Sequence, residues 1–445
     1  MKLRNLFLAS LAVCTMASCS KDDDGISGPQ EVDAYLSFAS TADVMTKTST
    51  ELPNDPDKTG TGKEAKIQSL TAYVFDTSAD NKYVISKHVS VKVGSTEGTE
   101  NEDYTVDKNG SINSIRSIHV KVAKPSGSLS TSSTSFKVVL LANTEAFSVT
   151  NLADLKSRKT TDIKTFNSVA VGESYLPMHS AELTVTGLTP SSDAEHVLNW
   201  YKNSSSCVSG TDVSGVHSGE VPAGAAEVEM TRSIARVQLA SLGADFQALQ
   251  YKNMKFDVSS VFLANVRVNA TVMGEENAEA AFYRGAPNEF SVLQFLIEPD
   301  GSLDDNLKKE YDTPKSLSTG TTLTDWGFDK YINVNSPESI AGINFTANGD
   351  GTYKQEEGGA YQTRLVITGT LYDGNKPLGQ KYFHIPLKLT GDVGNVASNK
   401  LFKIKATITG EGSPNPDEIL ENACINFSIE VADWKVIVQT EDDTN

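Results

Sequence analysis

Apolar side chains in this chain recur in short runs, and the clearest of them fall on every second residue. Ile425, Phe427, Ile429 and Val431 alternate with Asn426, Ser428 and Glu430, and Ala34, Leu36 and Phe38 alternate with Tyr35 and Ser37. A period of two sends successive side chains to opposite faces of an extended strand; a helix cannot satisfy it. Further runs, at residues 67–75, 118–122, 136–141, 182–185, 237–239, 258–263, 292–297, 362–371, 382–389 and 401–408, are rich in β-branched and aromatic residues. Ser, Thr, Gly and Asn bound them, which is the strand signal. Gly349-Asp350-Gly351 and Asp373-Gly374-Asn375 read as hairpin turns. One segment differs: Leu152, Leu155, Ile163 and Phe166 have partial helical spacing and predict one amphipathic helix. Many short strands with one or two minor helices mean an all-β fold of sandwiches.

The chain has 445 residues, a length that suggests about two or three domains. A polar, glycine-rich stretch over residues 204–224 places a boundary between 48–229 and 230–445. Lys and Arg total 39 against 57 Asp and Glu, a net charge of −18, which argues against a nucleic-acid partner. Beyond the first 20 residues no apolar run approaches the roughly 18–20 residues of a membrane-crossing helix.

Chemistry-bearing motifs are absent: no H-E-x-x-H, C-x-x-C, G-x-S-x-G or phosphate loop occurs. The six histidines have no metal-ligand spacing, and His119 and His384 fall within strands as structural or surface residues. Asn348-Gly349-Asp350-Gly351 lacks a full calcium-ligand series and reads as a turn. Asp304-Asp305 reads as solvated surface, although carboxylates distant in sequence can still meet in a fold. The sequence therefore predicts no enzyme, no cofactor and no metal. Cys207 and Cys424 read as free thiols, with their pairing left open.

Lys2, Arg4 and the apolar stretch 6–16 form a secretion signal. Met16-Ala17-Ser18-Cys19 resembles the bacterial lipobox, which implies a signal peptide over residues 1–18 and lipidation at Cys19. The alternative is an ordinary signal peptide cut nearby. Lys21-Asp22-Asp23-Asp24 resembles the export signal of Bacteroidetes surface lipoproteins, or serves only as a solvated tether. Residues 41–66 have no apolar periodicity and carry Pro53, Pro56, Gly60 and Gly62, so they read as an exposed, protease-accessible loop.

Four fragments carry a family resemblance. Met230-Thr231-Arg232-Ser233-Ile234-Ala235-Arg236-Val237 resembles the Arg-x-x-Ala-(Arg/Lys)-Val strand of the fimbrillins, the pilin subunits of Bacteroidetes (type V pili). Lys137-Val138-Val139-Leu140-Leu141-Ala142-Asn143, Leu176-Pro177-Met178 and Val431-Ala432-Asp433-Trp434-Lys435-Val436 resemble the same family in order and spacing. The chain is most similar to the short-fimbria major subunit type. The resemblance implies two transthyretin-like β-sandwich domains, a lipoprotein precursor held on the outer membrane until maturation, and cleavage by a trypsin-like protease. It further implies polymerisation by strand exchange into surface fimbriae that support adhesion and biofilm formation. Partners would be other copies of the chain, accessory, anchor or tip subunits, and a host or bacterial surface ligand.

On that reading residues 19–47 are tether and propeptide, and Ala34, Leu36 and Phe38 mark a removable first strand. The cut falls between Lys47 and Thr48, with Lys58 or Lys63 as alternatives. The donor is the tail 424–445, through Ile425, Phe427, Ile429, Val431, Trp434, Val436 and Val438. The rival reading is a surface glycan-binding lipoprotein of β-sandwiches, which would need exposed aromatic platforms; only three tryptophans are available.

Overall fold

The computed structural model describes residues 30–42, 62–91, 103–107, 109–127, 129–191, 196–212, 221–278, 280, 282–283, 305–335, 343–347, 353–357, 363–387, 396–414 and 425–434. The first part of the chain forms β1 (Glu31–Ala42), β2 (Ser69–Asp76), β3 (Lys82–Ser90), β4 (Tyr104–Val106), β5 (Ile112–Ala123) and β6 (Phe136–Ala142). Then come α1 (Leu152–Ser157), α2 (Ile163–Asn167), β7 (Met178–His179), β8 (Leu183–Val185), β9 (His196–Asn203), β10 (Ser206–Asp212) and β11 (Glu227–Arg232). Two layers face each other across one core. In one layer β1 lies between β5 and the pair β9 and β11; in the other β6 lies between β2 and the short strands β7 and β8. β11 passes from layer to layer: residues 227–230 run parallel to β1, and Thr231 and Arg232 pair with β7.

The second part forms β12 (Ala235–Ala244), β13 (Met254–Ala264), β14 (Val266–Arg267), β15 (Phe282–Tyr283), β16 (Lys308–Ser318), β17 (Thr321–Leu323) and β18 (Asp329–Ile332). It continues through β19 (Ile343–Ala347), β20 (Tyr353–Glu357), β21 (Arg364–Asp373), β22 (Lys376–Pro386), β23 (Lys400–Ile408) and β24 (Ile425–Asp433). A sheet of order β17-β12-β23-β24, with β18 also on β12, packs against one of order β16-β13-β21-β22. The Asp373-Gly374-Asn375 turn joins β21 to β22 as expected. At Gly369, opposite the bulge of β13, a Cβ would lie 2.1 Å from the Asp257 carbonyl oxygen, so the strands can approach this closely only without a side chain. The all-β, sandwich-based fold is as the alternation predicts. The run at residues 292–297 and the turn at 348–351 lie outside the described residues.

The single expected helix is two. Asn151 caps α1 by accepting from the Asp154 N–H at 2.8 Å, and Asp162 caps α2 by accepting from Lys164 N–H at 2.9 Å. Between them the chain leaves helical geometry because Thr160 N–H bonds to the Ala270 carbonyl at 2.8 Å, beside a bridge from Lys159 to Thr271. The split serves two cores: Leu152 and Leu155 pack with Tyr73, Phe75 and Val139, whereas Ile163 and Phe166 enter the core of the second sandwich.

Candidate functional site

β1 occupies a lane inside its sheet. Residues 31–39 run antiparallel to β5, and on the other side β1 runs parallel to β9 and then to β11. Ala34, Leu36 and Phe38 are fully buried, facing Leu70, Val74, Val138 and Leu140 of the opposite layer. The bulge between Leu36 and Phe38 leaves Ser37 buried as well; its hydroxyl accepts from the Ser117 N–H at 3.4 Å. On the outward face Asp33 meets His119 at 2.6 Å and Lys121 at 2.5 Å, and hydrogen bonds from Lys121 and then His119 hold its carboxyl below the usual value. Tyr35 stacks between the rings of His196 and His119, with centroids 3.7 and 5.2 Å away.

β24 presents the same alternation at an edge. Among the described residues it pairs with β23 alone, antiparallel, from Ile425 opposite Ile408 to Asp433 opposite Lys400. Ile425, Phe427, Ile429 and Val431 are half-buried against the second core, while Asn426, Ser428 and Glu430 are exposed. In this state the tail strand therefore belongs to its own subunit's sheet, as an edge that peels by breaking one ladder.

Trp434 behaves differently from the strand it follows. It is fully buried, its N–H bonds to Asn399 O at 3.0 Å, and its carbonyl accepts from Arg232 Nη1 at 2.5 Å. The Arg232 guanidinium lies 4.5 Å from the indole centroid and Tyr331 stacks on the ring at 5.8 Å. Arg232 Nε also donates to the Glu64 carbonyl at 3.3 Å. The buried Glu64 carboxylate accepts from Tyr331 Oη and lies 3.6 Å from Arg236, which forks onto Asp329 at 2.8 and 2.5 Å. Burial is the leading cause that raises the Glu64 carboxyl above its usual value, opposed by the charge of Arg236. One cluster thus ties the end of β24, the β11–β12 junction and the turn at residues 62–65. Sequence reasoning singled out Arg232 and Trp434 within family fragments but missed Glu64, Asp329 and Tyr331, whose spacing along the chain carries no signal.

A second tie explains two other fragments. Asn143, in left-handed backbone at φ 55°, donates from Nδ2 to Lys66 O and Leu176 O, both at 2.8 Å, and accepts from Gln68 N–H at 2.8 Å. It holds the start of β2 to the segment that leads into β7. Lys63 is also held: its N–H bonds to Gly172 O at 2.9 Å and its ammonium lies 3.3 Å from Glu173. A protease needs an extended, free backbone, so this residue is a poor place to cut. Cys19, Lys47, Thr48, Lys58, Cys424, Val436 and Val438 lie outside the described residues. Cys207 is free, and burial pushes its thiol up to about 12. All three tryptophans, Trp200, Trp326 and Trp434, are buried. Among the described residues no group of three His, Cys, Asp or Glu side chains is arranged to hold a metal ion.

Residues 34–232 match the family of the major fimbrial subunit protein (FimA). No curated protein sequence matches the chain. Among solved structures, a fimbrilin from Porphyromonas gingivalis W83 is 17% identical with a TM-score of 0.54, over 92% of this chain and 99% of its own. A proposed cell adhesion protein from Parabacteroides distasonis ATCC 8503 is 16% identical with a TM-score of 0.52, again over 92% and 99%. At these identities the structural likeness is one of fold.

Proposed function

Because residues 34–232 match the major fimbrial subunit (FimA) family and 92% of the chain aligns in fold with a fimbrilin, we propose that this protein is a structural subunit of a cell-surface fimbrium. It is exported as a lipoprotein through Cys19, matured between Lys47 and Thr48, and polymerised by strand exchange. The carrying observation is the pair of strands just described. β1 fills an interior lane with Ala34, Leu36 and Phe38 buried, and its covalent link to β2 and the strands after it runs through residues 43–61, while β24 offers similar alternation at a sheet edge. Cutting the loop lets β1 leave, and β-addition of a neighbour's tail refills the lane. Four apolar side chains of the tail supply roughly 6–12 kcal/mol gross, from which ordering costs subtract. The contact joins two different surfaces, so repeating it builds an open filament. Other copies and accessory, anchor or tip subunits are the partners.

The test is N-terminal sequencing of assembled fimbriae: the mature chain should begin at Thr48, and one that keeps Ala34, Leu36 and Phe38 overturns the maturation scheme. Cys19→Ala should abolish labelling by a fatty-acid probe; continued labelling refutes lipidation there. The glycan-binding alternative is disfavoured by the burial of all three tryptophans, which leaves no indole platform for a sugar ring.

A further inference from the structure

The sheet β16-β13-β21-β22 turns Leu365, Ile367, Phe383 and Ile385 into the second core. Alternation sends Arg364, Val366, Tyr382 and His384 to its other face, which a sandwich ordinarily gives to polar residues and water. Here that face is closed. Phe262, Ala264, Val366 and Tyr382 form a buried cluster of their own, and His384, directly opposite Val366, is only 9% exposed. On the far side of β21, Phe262 stands opposite Val366 and Ala264 opposite Arg364.

Two nitrogen-bearing side chains are set into this apolar floor with nothing to bind. Among the described residues, neither ring nitrogen of His384 has a hydrogen-bond partner, and the enclosed Nε of Arg364 has none. The register makes the two residues diagonal neighbours on one face, about 7–8 Å apart along the backbone and within reach of each other's side chains. Burial pushes the Arg364 guanidinium down to about 10, and no carboxylate of the described residues counters it. Burial, and then the charge of Arg364, push the His384 imidazole down to about 4, so the ring is neutral at pH 7. Two buried arginines elsewhere in this sandwich are matched: Arg236 forks onto Asp329, and Arg267 meets Glu276. A guanidinium is tolerated inside a protein when an anion faces it.

We propose that Arg364 and His384 form a carboxylate-binding site on the outer face of this sheet. The guanidinium offers parallel N–H donors that match the two carboxylate oxygens, and the neutral imidazole adds one N–H from the floor. A monoanion fits better than phosphate. One carboxylate cancels the single charge of Arg364, whereas a phosphate dianion leaves excess negative charge against Phe262, Val366 and Tyr382. The same apolar side chains take the carbon side of the acid. Arg364 is itself partly exposed, which gives the ligand a way in. The acid comes either from solution or from an Asp or Glu side chain of a neighbouring subunit, and both present the same group. The site stands whether or not subunits exchange strands.

The rate at which phenylglyoxal modifies Arg364, read by mass spectrometry of its peptide, tests the site in the full-length subunit. Replacing chloride by about 100 mM acetate at constant ionic strength should slow the reaction about ten-fold, as a site of Kd about 10 mM requires. Inorganic phosphate at the same ionic strength should slow it less than about two-fold; stronger protection by phosphate than by acetate overturns the carboxylate assignment. Fimbriae washed free of small acids distinguish the sources. Protection there, with none from acetate in the free subunit, assigns the acid to a neighbouring subunit; protection by acetate in the subunit assigns it to solution. Equal rates in chloride, in acetate and in fimbriae overturn the site. In whichever state protects, His384→Leu should cut the protection to about three-fold or less, and His384→Gln, which keeps an N–H donor, should retain most of it. Full protection in His384→Leu, or equal loss in both variants, overturns the pairing of the two residues.

Discussion

β1 and β24 are written in nearly the same alternation and are held in opposite ways. β1 has neighbours on both sides and Leu36 and Phe38 without exposure, whereas β24 has one neighbour and its inward residues are only half covered. Two ladders and complete burial make a strand that leaves only if its covalent link is cut. One ladder and partial burial make a strand that can exchange without cutting. The pattern alone does not separate these roles; position within the sheet does.

The sharpest way to break the comparison is to remove the matching phenylalanines. Phe38→Ala in the uncut precursor should cost about 3–5 kcal/mol, and Phe427→Ala in the monomer about 1–2 kcal/mol, measured by urea unfolding. On the proposed strand exchange, assembly of matured subunits should rank them the other way, since Phe38 would leave with β1 while Phe427 would be needed at the joint. Equal losses of monomer stability would erase the distinction between lane and edge.

Next in size is Trp434→Ala, expected to destabilise the monomer by about 3 kcal/mol through loss of a buried indole. Arg232→Ala added to it should contribute clearly less than it does alone, because the guanidinium has already lost the ring it stacks on. Full additivity in a double-mutant cycle would refute the clamp. Deletion of residues 425–439 is consequently a blunter test of the tail than Phe427→Asp, since it also removes this anchor.

A smaller effect is expected at Glu64. Burial raises its carboxyl above the usual value, so over the pH range just above that value the folded state keeps a proton that the unfolded chain releases. Its contribution is therefore largest at low pH and falls as pH rises through that range. Urea midpoints followed from pH 4 upward should show a shallower decline in Glu64→Gln than in the parent. An unchanged slope would place the carboxylate's influence elsewhere.

The smallest change is expected from Glu430→Lys, on the exposed face of β24 directly opposite Lys403. A surface charge pair is worth under about 1 kcal/mol, so assembly should change far less than with Phe427→Asp. A comparable block from both substitutions would mean that the outward face also enters the lane.

Strands were legible because period-two alternation and turn residues are local signals; the runs at 136–141, 258–263 and 401–408 all lie within strands. The helix was half legible. Its apolar spacing was visible, but the interruption at Thr160 depends on Ala270, more than a hundred residues away. Trp434 read as the start of another alternation with Val436 and Val438, and nothing local indicates that Arg232 and Tyr331 enclose it. Glu64 was invisible for the same reason: a lone acid in a polar stretch becomes a buried group only when Arg236 and Tyr331 arrive from the other sandwich. The proposed maturation and lipidation rest on motif and chain accessibility rather than on packing.

Between Arg232 at the end of β11 and Ala235 at the start of β12 stand only Ser233 and Ile234, both fully buried. A flexible linker needs solvated, freely rotating residues, and this junction has none: Ser233 N–H bonds to Pro177 O at 2.8 Å and Ile234 O accepts from Asn399 N–H at 2.9 Å. The joint between the two sandwiches is therefore packed rather than a free hinge. In a fibre assembled as proposed above, bending would fall chiefly at the contacts between neighbours, and those contacts would set its persistence length.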